Sequence, residues 1–409
     1  MYSYKNPAGL LKKSNVFFSP HIGPALCDLA CGDTFDRIPE NLTSYYFPKY
    51  VEHLSCGDFR QPFVFAELQP ETQWYDNNFN YNHSNPWLKL REEGIASNSN
   101  FQLGVHLPIS YLRMGDSNDY EKEKIRKNIR AAVDFGNSIN AVYFVFHLTQ
   151  NGIANNETTY KNVKEYLRET IEYLGQTDSK AYFLLENLEF PKYPATPEEM
   201  RWWYDRITEM SRQFNIKTGI MLDVAHLWKT RGDLYGMFNA GVKLPQWIVD
   251  EKEILMQPYH DLLNYTLKNK LNGVPVIAYH FGGCFENETH LIPGVKVNEE
   301  PNLTNVTVHR FYDESRELHL KNALKYIIQY YLERTCELDE NLDLKFRPLY
   351  ITTESYIAKH HNMMRKLTFP EIMKGVTAIR DFSMQYFDKV QYKAHKKLKM
   401  LERIIGANG

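Results

Sequence analysis

The sequence predicts a (β/α)8 barrel. Eight short runs rich in β-branched and aromatic residues alternate with segments of helical periodicity. Most of the runs are apolar on both faces, as expected of a parallel sheet covered by helices rather than an antiparallel sheet with one wet face. The runs also end in polar, metal-ligating side chains, and in such barrels the C-terminal strand ends build the active site.

The predicted strands are residues 15–19, 62–67, 102–106, 141–147, 181–186, 217–223, 274–280 and 348–354. His21 follows the first run and Glu67 ends the second, FVFAE. His106 closes GVH, His147 closes VYFVFH, Glu186 closes YFLLE and Asp223 closes GIMLD, with His226 expected in the loop just beyond. His280 closes VIAYH and Glu354 closes LYITTE, and Glu288-Thr289-His290 follows the seventh strand closely. Helical periodicity covers 120–138, 158–174, 197–214 and 317–332, and a long stretch, 369–405, follows the last strand. Its Phe387, Val390, Leu398, Leu401 and Ile404 suggest docking on the barrel, despite six basic residues. The insertions, 69–100 and 281–315, fall on the rim that carries the polar residues and are candidate substrate walls. The expected organisation is one domain over 1–409, with a barrel core at 14–360 and a helical extension at 369–405.

Composition limits the function classes. A chain of 409 residues, 43% apolar and 14% aromatic, can bury a large core. A formal charge of −2 excludes nucleic-acid binding driven by bulk positive charge, although a local basic groove stays open. The first residues lack the apolar stretch of a secretory signal and no segment is long enough to span a bilayer, so the expectation is a cytoplasmic protein with no membrane partner. Five cysteines (Cys27, Cys31, Cys56, Cys284 and Cys336) make no disulfide framework, and Cys27-x3-Cys31, lacking a second pair, reads as helix packing. His360-His361 reads as a solvated pair in a charged loop. The sequence has no Gly-rich phosphate fingerprint, no nucleophile elbow and no Cys/His pairing of catalytic spacing.

A single histidine at a strand end is more often a hydrogen-bonded structural residue than a ligand. Ionisable groups at six successive strand ends are different, because burying them together without a cation is costly. Five imidazoles (His106, His147, His226, His280, His290) and four carboxylates (Glu186, Asp223, Glu288, Glu354) can satisfy two or three divalent ions at about four to six ligands each. The mixed nitrogen and oxygen set suits Fe, Zn or Mn, and neither a thiolate zinc site nor an all-oxygen Ca or Mg site. Glu186, Asp223 and Glu354 are the expected bridging and catalytic carboxylates. His21, Glu67 and Tyr111 are second-tier candidates for contact with substrate, and His21 or Glu67 would otherwise cap a loop.

These residues resemble the xylose-isomerase-like barrel superfamily over residues 16–356. Two metal-rich branches fit best. In the endonuclease IV branch, the nine ligands above would fall in order on the residues that hold three zinc ions, with LDVAH matching the Asp-x-x-His pair and Glu288 standing where Asp is usual. In the multinuclear non-haem iron oxidase branch, which modifies ribosomally made peptides, similar positions bind two or three irons. FAELQPET, LLENLEF, LDVAH, YHFGG and ETHLIP resemble that branch's strand-end motifs, and His226 departs from its more typical Asn.

The resemblance implies an iron-dependent oxidase acting on a peptide, with a dedicated partner protein to present it. The alternatives are a zinc phosphodiester hydrolase acting on abasic DNA, a metal-dependent sugar isomerase or epimerase, and a non-catalytic binding barrel. The first loop, SPHIGPALCDL, lacks the Gly-Ala-His opening usual in the nuclease branch, and the chain is not basic. Tyr111-Leu112 points the other way, since such a pair can wedge into DNA or pack in a lid.

Overall fold

In a computed structural model, the chain is described over residues 16–22, 65–69, 102–108, 119–148, 157–177, 179–243, 259–282, 318–334, 336–338, 344–353, 357–360, 363–366, 374–387 and 389–390. Eight parallel strands close into a barrel. They are β1 (Val16–Ile22), β2 (Phe65–Leu68), β3 (Gln102–His106), β4 (Tyr143–Phe146), β5 (Tyr182–Glu186), β6 (Lys217–Asp223), β7 (Val276–His280) and β10 (Leu349–Thr353). The order around the barrel is β1, β10, β7, β6, β5, β4, β3, β2. The alternation of strands and helices is therefore a (β/α)8 barrel, as the sequence predicts.

Strand alternation decides what lines the interior, because residues i and i+2 face the same side. Phe17, Phe65, Tyr143, Val145, Leu184, Met221, Ala278 and Tyr350 pack with one another inside the barrel. Tyr350 lies at the middle of that packing, with ring centroids 5.0 Å from Phe17, 4.7 Å from Phe65 and 5.1 Å from Tyr143. Two residues further along, toward the C-terminal rim, stand Glu67, His147, Glu186, Asp223 and His280. Seven of the eight strands thus fill the floor, β3 presenting only Gly104 there, and the next inward side chain is polar.

Outward-facing residues such as Val105, Phe144, Phe146, Leu185, Leu222 and Tyr279 pack under the helices. The helices are α1 (Asp119–Ser138), α2 (Glu157–Gln176), α3 (Pro197–Arg212), α4 (Val224–Asn239), α5 (Tyr259–Tyr265), α6 (Leu318–Arg334) and α7 (residues 374–387). A π-helical turn, Thr266–Lys270, continues α5. In α2, Val163, Leu167 and Ile171 recur every four residues and are all buried, the stripe expected of a helix lying on a sheet. α3 begins with a capping box, Thr196 with Glu199, and Pro197 in its first turn.

α4 is not among the stretches marked by helical periodicity, although the alternation implies a helix there. It is buried on nearly every side, and the buried set includes His226, Thr230, Arg231 and Asp233, so no apolar stripe marks it. Two small antiparallel hairpins were not expected: β8 (Cys336–Leu338) with β9 (Leu344–Phe346), and β11 (Ile357–His360) with β12 (Met363–Lys366). His360 therefore ends a strand rather than lying in a loop, and His361 is outside the described residues. Most of the insertions 69–100 and 281–315 and the end of the extension, 391–405, are outside them too, as are Cys27, Cys31, Cys56 and Cys284. Among the described residues, no helix is long and apolar enough to cross a membrane.

Candidate metal centre

Five of the six strand-end residues converge. His106, Glu186, Asp223 and His280 are the last residues of β3, β5, β6 and β7, and His147 follows β4 directly. All five are buried. Glu354, Glu288, His290 and Tyr111 are outside the described residues.

The tightest group joins three consecutive strands. His106 Nε2 and His147 Nε2 each point at Glu186 Oε2, at 3.1 and 2.8 Å, and at each other across 3.1 Å. His106 Nδ1 lies 2.8 Å from the carbonyl of Leu107, which can only accept, so Nδ1 carries the hydrogen. A neutral His106 therefore presents a bare lone pair to a carboxylate. Burial lowers the His147 pKa to about 4 against the opposing pull of Glu186, and its Nδ1 is buried without a hydrogen-bond partner.

The donor set fits a divalent ion. Ligand atoms about 2.1 Å from one six-coordinate ion stand about 3.0 Å apart, and the three edges here match that spacing. Nitrogen and oxygen lone pairs that converge with a hydrogen missing between them are what a cation relieves. Two histidines and one carboxylate on one face form the facial set that leaves other coordination positions open.

Glu186 faces two ways. Its Oε1 lies 2.8 Å from His280 Nδ1, which is 3.9 Å from Asp223 Oδ2, whereas Oε2 meets His106 and His147. Burial pushes the Glu186 carboxyl up, but His280, His147 and His106 together outweigh it and hold the group well below the usual carboxylate range. Asp223 is raised by burial, with His226 opposing.

His226 is a correction to the sequence reading, since it lies in the first turn of α4 and not in a loop. Asp223 is at once the end of β6 and the N-cap of α4, and its side chain accepts the backbone N–H of His226 at 2.6 Å. The His226 ring donates Nδ1–H to the carbonyl of Asn187 at 2.9 Å, so its other nitrogen, Nε2, is the one available, 3.3 Å from Glu189 Oε2. Burial opposes protonation of His226, yet Asp223, Glu189 and Glu186 raise its pKa.

Sequence reasoning missed Asn187 and Glu189. Asn187 accepts the Asp223 N–H at 2.7 Å through its side chain and donates to the Asp223 carbonyl at 2.9 Å, fixing the β6 end against the β5 end. Glu189 accepts from Lys192 at 2.6 Å, and despite its burial His226 and Lys192 lower its pKa to about 2. Both lie in LLENLEF, directly after a strand-end glutamate, the one signal that could have found them.

His21 and Glu67 are also at the centre. They are register partners on β1 and β2, and Glu67 Oε1 lies 2.6 Å from His21 Nδ1 and 2.7 Å from His280 Nε2. Tyr143 donates its hydroxyl to Glu67 Oε2. Gln69 meets His21 Nε2 at 2.8 Å. Burial lowers the His21 pKa, and a neutral His21 donates to Glu67 and accepts from the Gln69 amide nitrogen once that amide is turned by half a rotation.

A scan against protein-family models and a search of curated proteins each find no match to this chain. Solved structures do match. An L-ribulose 3-epimerase aligns with a TM-score of 0.50 at 8% identity, covering 92% of this chain and 97% of that one. Endonuclease IV from Thermus thermophilus aligns at 0.46 and 13%, covering 90% and 98%, and a xylose isomerase-like TIM barrel protein from Mycobacterium smegmatis in complex with magnesium at 0.45 and 10%, covering 90% and 98%. At such identities the likeness is one of fold, a (β/α)8 barrel, and not of reaction.

Proposed function

We propose that this chain is a metal-dependent enzyme with a polynuclear His/Asp/Glu centre, and that it is an iron-dependent oxidase acting on a peptide. The observation that carries the metal reading is the convergence of His106 Nε2, His147 Nε2 and Glu186 Oε2 with a lone pair of His106 aimed at a carboxylate. His106, His147 and Glu186 would hold one ion. Glu186, through its other oxygen, would hold a second with Asp223 and His280, and His226, Glu288, His290 and Glu354 complete the proposed set.

Iron is favoured among Fe, Zn and Mn because a facial set of two histidines and one carboxylate is the pattern of non-haem iron oxygenases. Bound there, iron supplies the one-electron chemistry that oxidation by O2 requires. The residues supply the rest. Asn187 and Asp223 fix the β5 and β6 ends against each other, and the aromatic floor closes the barrel beneath the site. The peptide reading is supported by the near-neutral charge and by the wording of FAELQPET, YHFGG and ETHLIP. The Tyr/Asn-rich stretch 74–100 would form one wall of an extended cleft, with a partner protein presenting the substrate.

A hydrolase acting on abasic DNA is the second reading, favoured by the two-sided placement of Glu186, which also suits a pair of ions clamping a phosphodiester. Anaerobic purification with elemental analysis, visible and Mössbauer spectra, and O2 uptake with candidate peptides tests the choice. Iron with peptide-dependent O2 consumption is the expected result. Zinc alone, no O2 uptake and cleavage of abasic duplex DNA would replace the oxidase with the hydrolase, and metal-dependent sugar epimerisation would replace both.

A further inference from the structure

Besides the converging face of His106, His147 and Glu186, the barrel mouth holds a buried chain of polar groups running from Gln69 through His21 and Glu67 to His280. We infer that Glu67 is a positioning residue of the metal centre: clamped by Tyr143 and His21, it takes the Nε2 hydrogen of His280 and fixes Nδ1 as the nitrogen turned toward Glu186 and Asp223. The inference rests on the metal-dependent reading above and adds to it a residue outside the nine proposed ligands.

His21, Glu67 and His280 bring their donor atoms within 4.8 Å of one another and so have the composition of an ion site themselves. Their geometry argues against that role. Glu67 Oε1 stands 2.6 and 2.7 Å from two imidazole nitrogens, the length of charge-assisted N–H···O bonds and shorter than the roughly 3 Å between two ligands of one ion. Each contact pairs a donor with an acceptor. Glu67 can thus accept three hydrogens, the Tyr143 hydroxyl on Oε2 and, in the tautomers with hydrogen on His21 Nδ1 and His280 Nε2, both imidazoles on Oε1.

The consequence falls on His280. With its Nε2 hydrogen given to Glu67, a neutral His280 turns a lone pair at Nδ1 toward Glu186 Oε1, 2.8 Å away, and Asp223 Oδ2, 3.9 Å away. A carboxylate on the far nitrogen sets the tautomer and ring orientation of a ligating histidine and makes it a stronger donor.

The clamp is built into the barrel from two further strands. Tyr143 reaches Glu67 from β4 across the interior, passing over β3 at Gly104, where a Cβ would overlap the Tyr143 ring. Phe65 and Tyr350 pack against that ring, at 5.8 and 5.1 Å between centroids. Gly104 and Tyr143 are not among the nine proposed ligands, so they offer a route to perturb the Glu67 carboxylate without replacing a metal-binding side chain.

The test is titration of the metal-free full-length chain with Zn2+ against a chromophoric chelator, with Co2+ absorption spectra as the coordination readout. Variants are Glu67→Gln, Tyr143→Phe, Gly104→Ala and His21→Ala, beside His106→Ala as reference. Glu67→Gln is expected to weaken one class of ion by about 10–100-fold and alter its Co2+ spectrum, leaving unchanged the class that His106→Ala abolishes. Tyr143→Phe and Gly104→Ala should weaken the same class by about five-fold, and His21→Ala should leave the ion count intact. If Glu67→Gln does not fold, Tyr143→Phe decides. Wild-type affinity in Glu67→Gln or Tyr143→Phe, equal weakening of both classes, or loss of one whole ion in His21→Ala overturns the inference. A wild-type chain that takes up no Zn2+ overturns instead the metal reading on which it rests.

Discussion

Two groups of two histidines and one glutamate meet at the mouth of this barrel, and the same residue types are arranged to opposite ends. His106, His147 and Glu186 come from β3, the end of β4 and β5, whereas His21, Glu67 and His280 come from β1, β2 and β7. The rings of His106 and His280 face each other across the boundary, 5.6 Å apart and nearly parallel. In both groups the ligand atoms lie close enough to share one ion. In the second, we assign a hydrogen to each nitrogen facing Glu67, at 2.6 and 2.7 Å, with the Gln69 amide nitrogen turned to His21. In the first, His106 has already spent its hydrogen on a backbone carbonyl and meets a carboxylate with a lone pair. Composition and proximity do not separate a binding site from its support. The placement of hydrogens does.

The sharpest way to break this distinction is at Glu186, which touches both sides through His280 and through the His106–His147 pair. Glu186→Ala should remove more than one ion per chain and abolish activity while the barrel stays folded, checked by elemental analysis and circular dichroism. Full metal occupancy in that variant would end the bridging assignment.

Next in size is Glu67→Ala, which leaves His21 and His280 facing a void. A buried donor left without its acceptor costs about 1–3 kcal/mol, so denaturant unfolding of the metal-free variant should show a loss of at least that order. His147→Ala should show the reverse pattern: one ion lost and the metal-free protein little destabilised. If both variants lose the same stability and the same metal, the two groups are equivalent after all.

Acid should separate the buried histidines from Glu67 in pH. His147 has a folded pKa of about 4 against the ordinary 6.5, so it is held neutral in the fold and takes up a proton more readily when unfolded. Its contribution is complete above pH 6.5 and disappears as pH falls toward 4, an effect of about 3 kcal/mol at most, with His21 adding in the same sense. Glu67 is shifted the other way for an acid. Burial alone would raise it, but His280 and His21 hold it below the ordinary 4.5, so its contribution stays whole until pH drops below 4.5. Unfolding of metal-free protein followed from pH 7.5 to 3.5 should show the histidine-linked decline first, and Glu67→Gln should remove only the later one. The smallest effect is expected at Gln69→Ala, about 1 kcal/mol with metal content unchanged.

Much of this was legible in the sequence. The runs at 102–106 and 217–223 match β3 and β6 residue for residue, because the part of each that is buried on both faces reads as a short apolar stretch, LGV and GIML, closed by one polar residue. His21 was harder to place. The first run was read as ending at residue 19, but β1 continues to Ile22 and pairs Pro20 with Thr353 and His21 with Glu67. Its side chain is inside the barrel for that reason. Asn187 and Glu189 escaped notice because their partners come from another strand and helix, and their place just beyond the strand-end Glu186 was the one local sign of them.

The double engagement of Asp223 bears on how relatives of this chain should be judged. Because its carboxylate starts α4 and its backbone is gripped by Asn187, a descendant that had abandoned metal chemistry would still favour a short polar residue there. An aspartate at that position is therefore a poor witness to catalysis. His147 is a better one. It caps nothing, its Nδ1 is buried without a partner, and a lineage released from the chemistry has no structural reason to keep it.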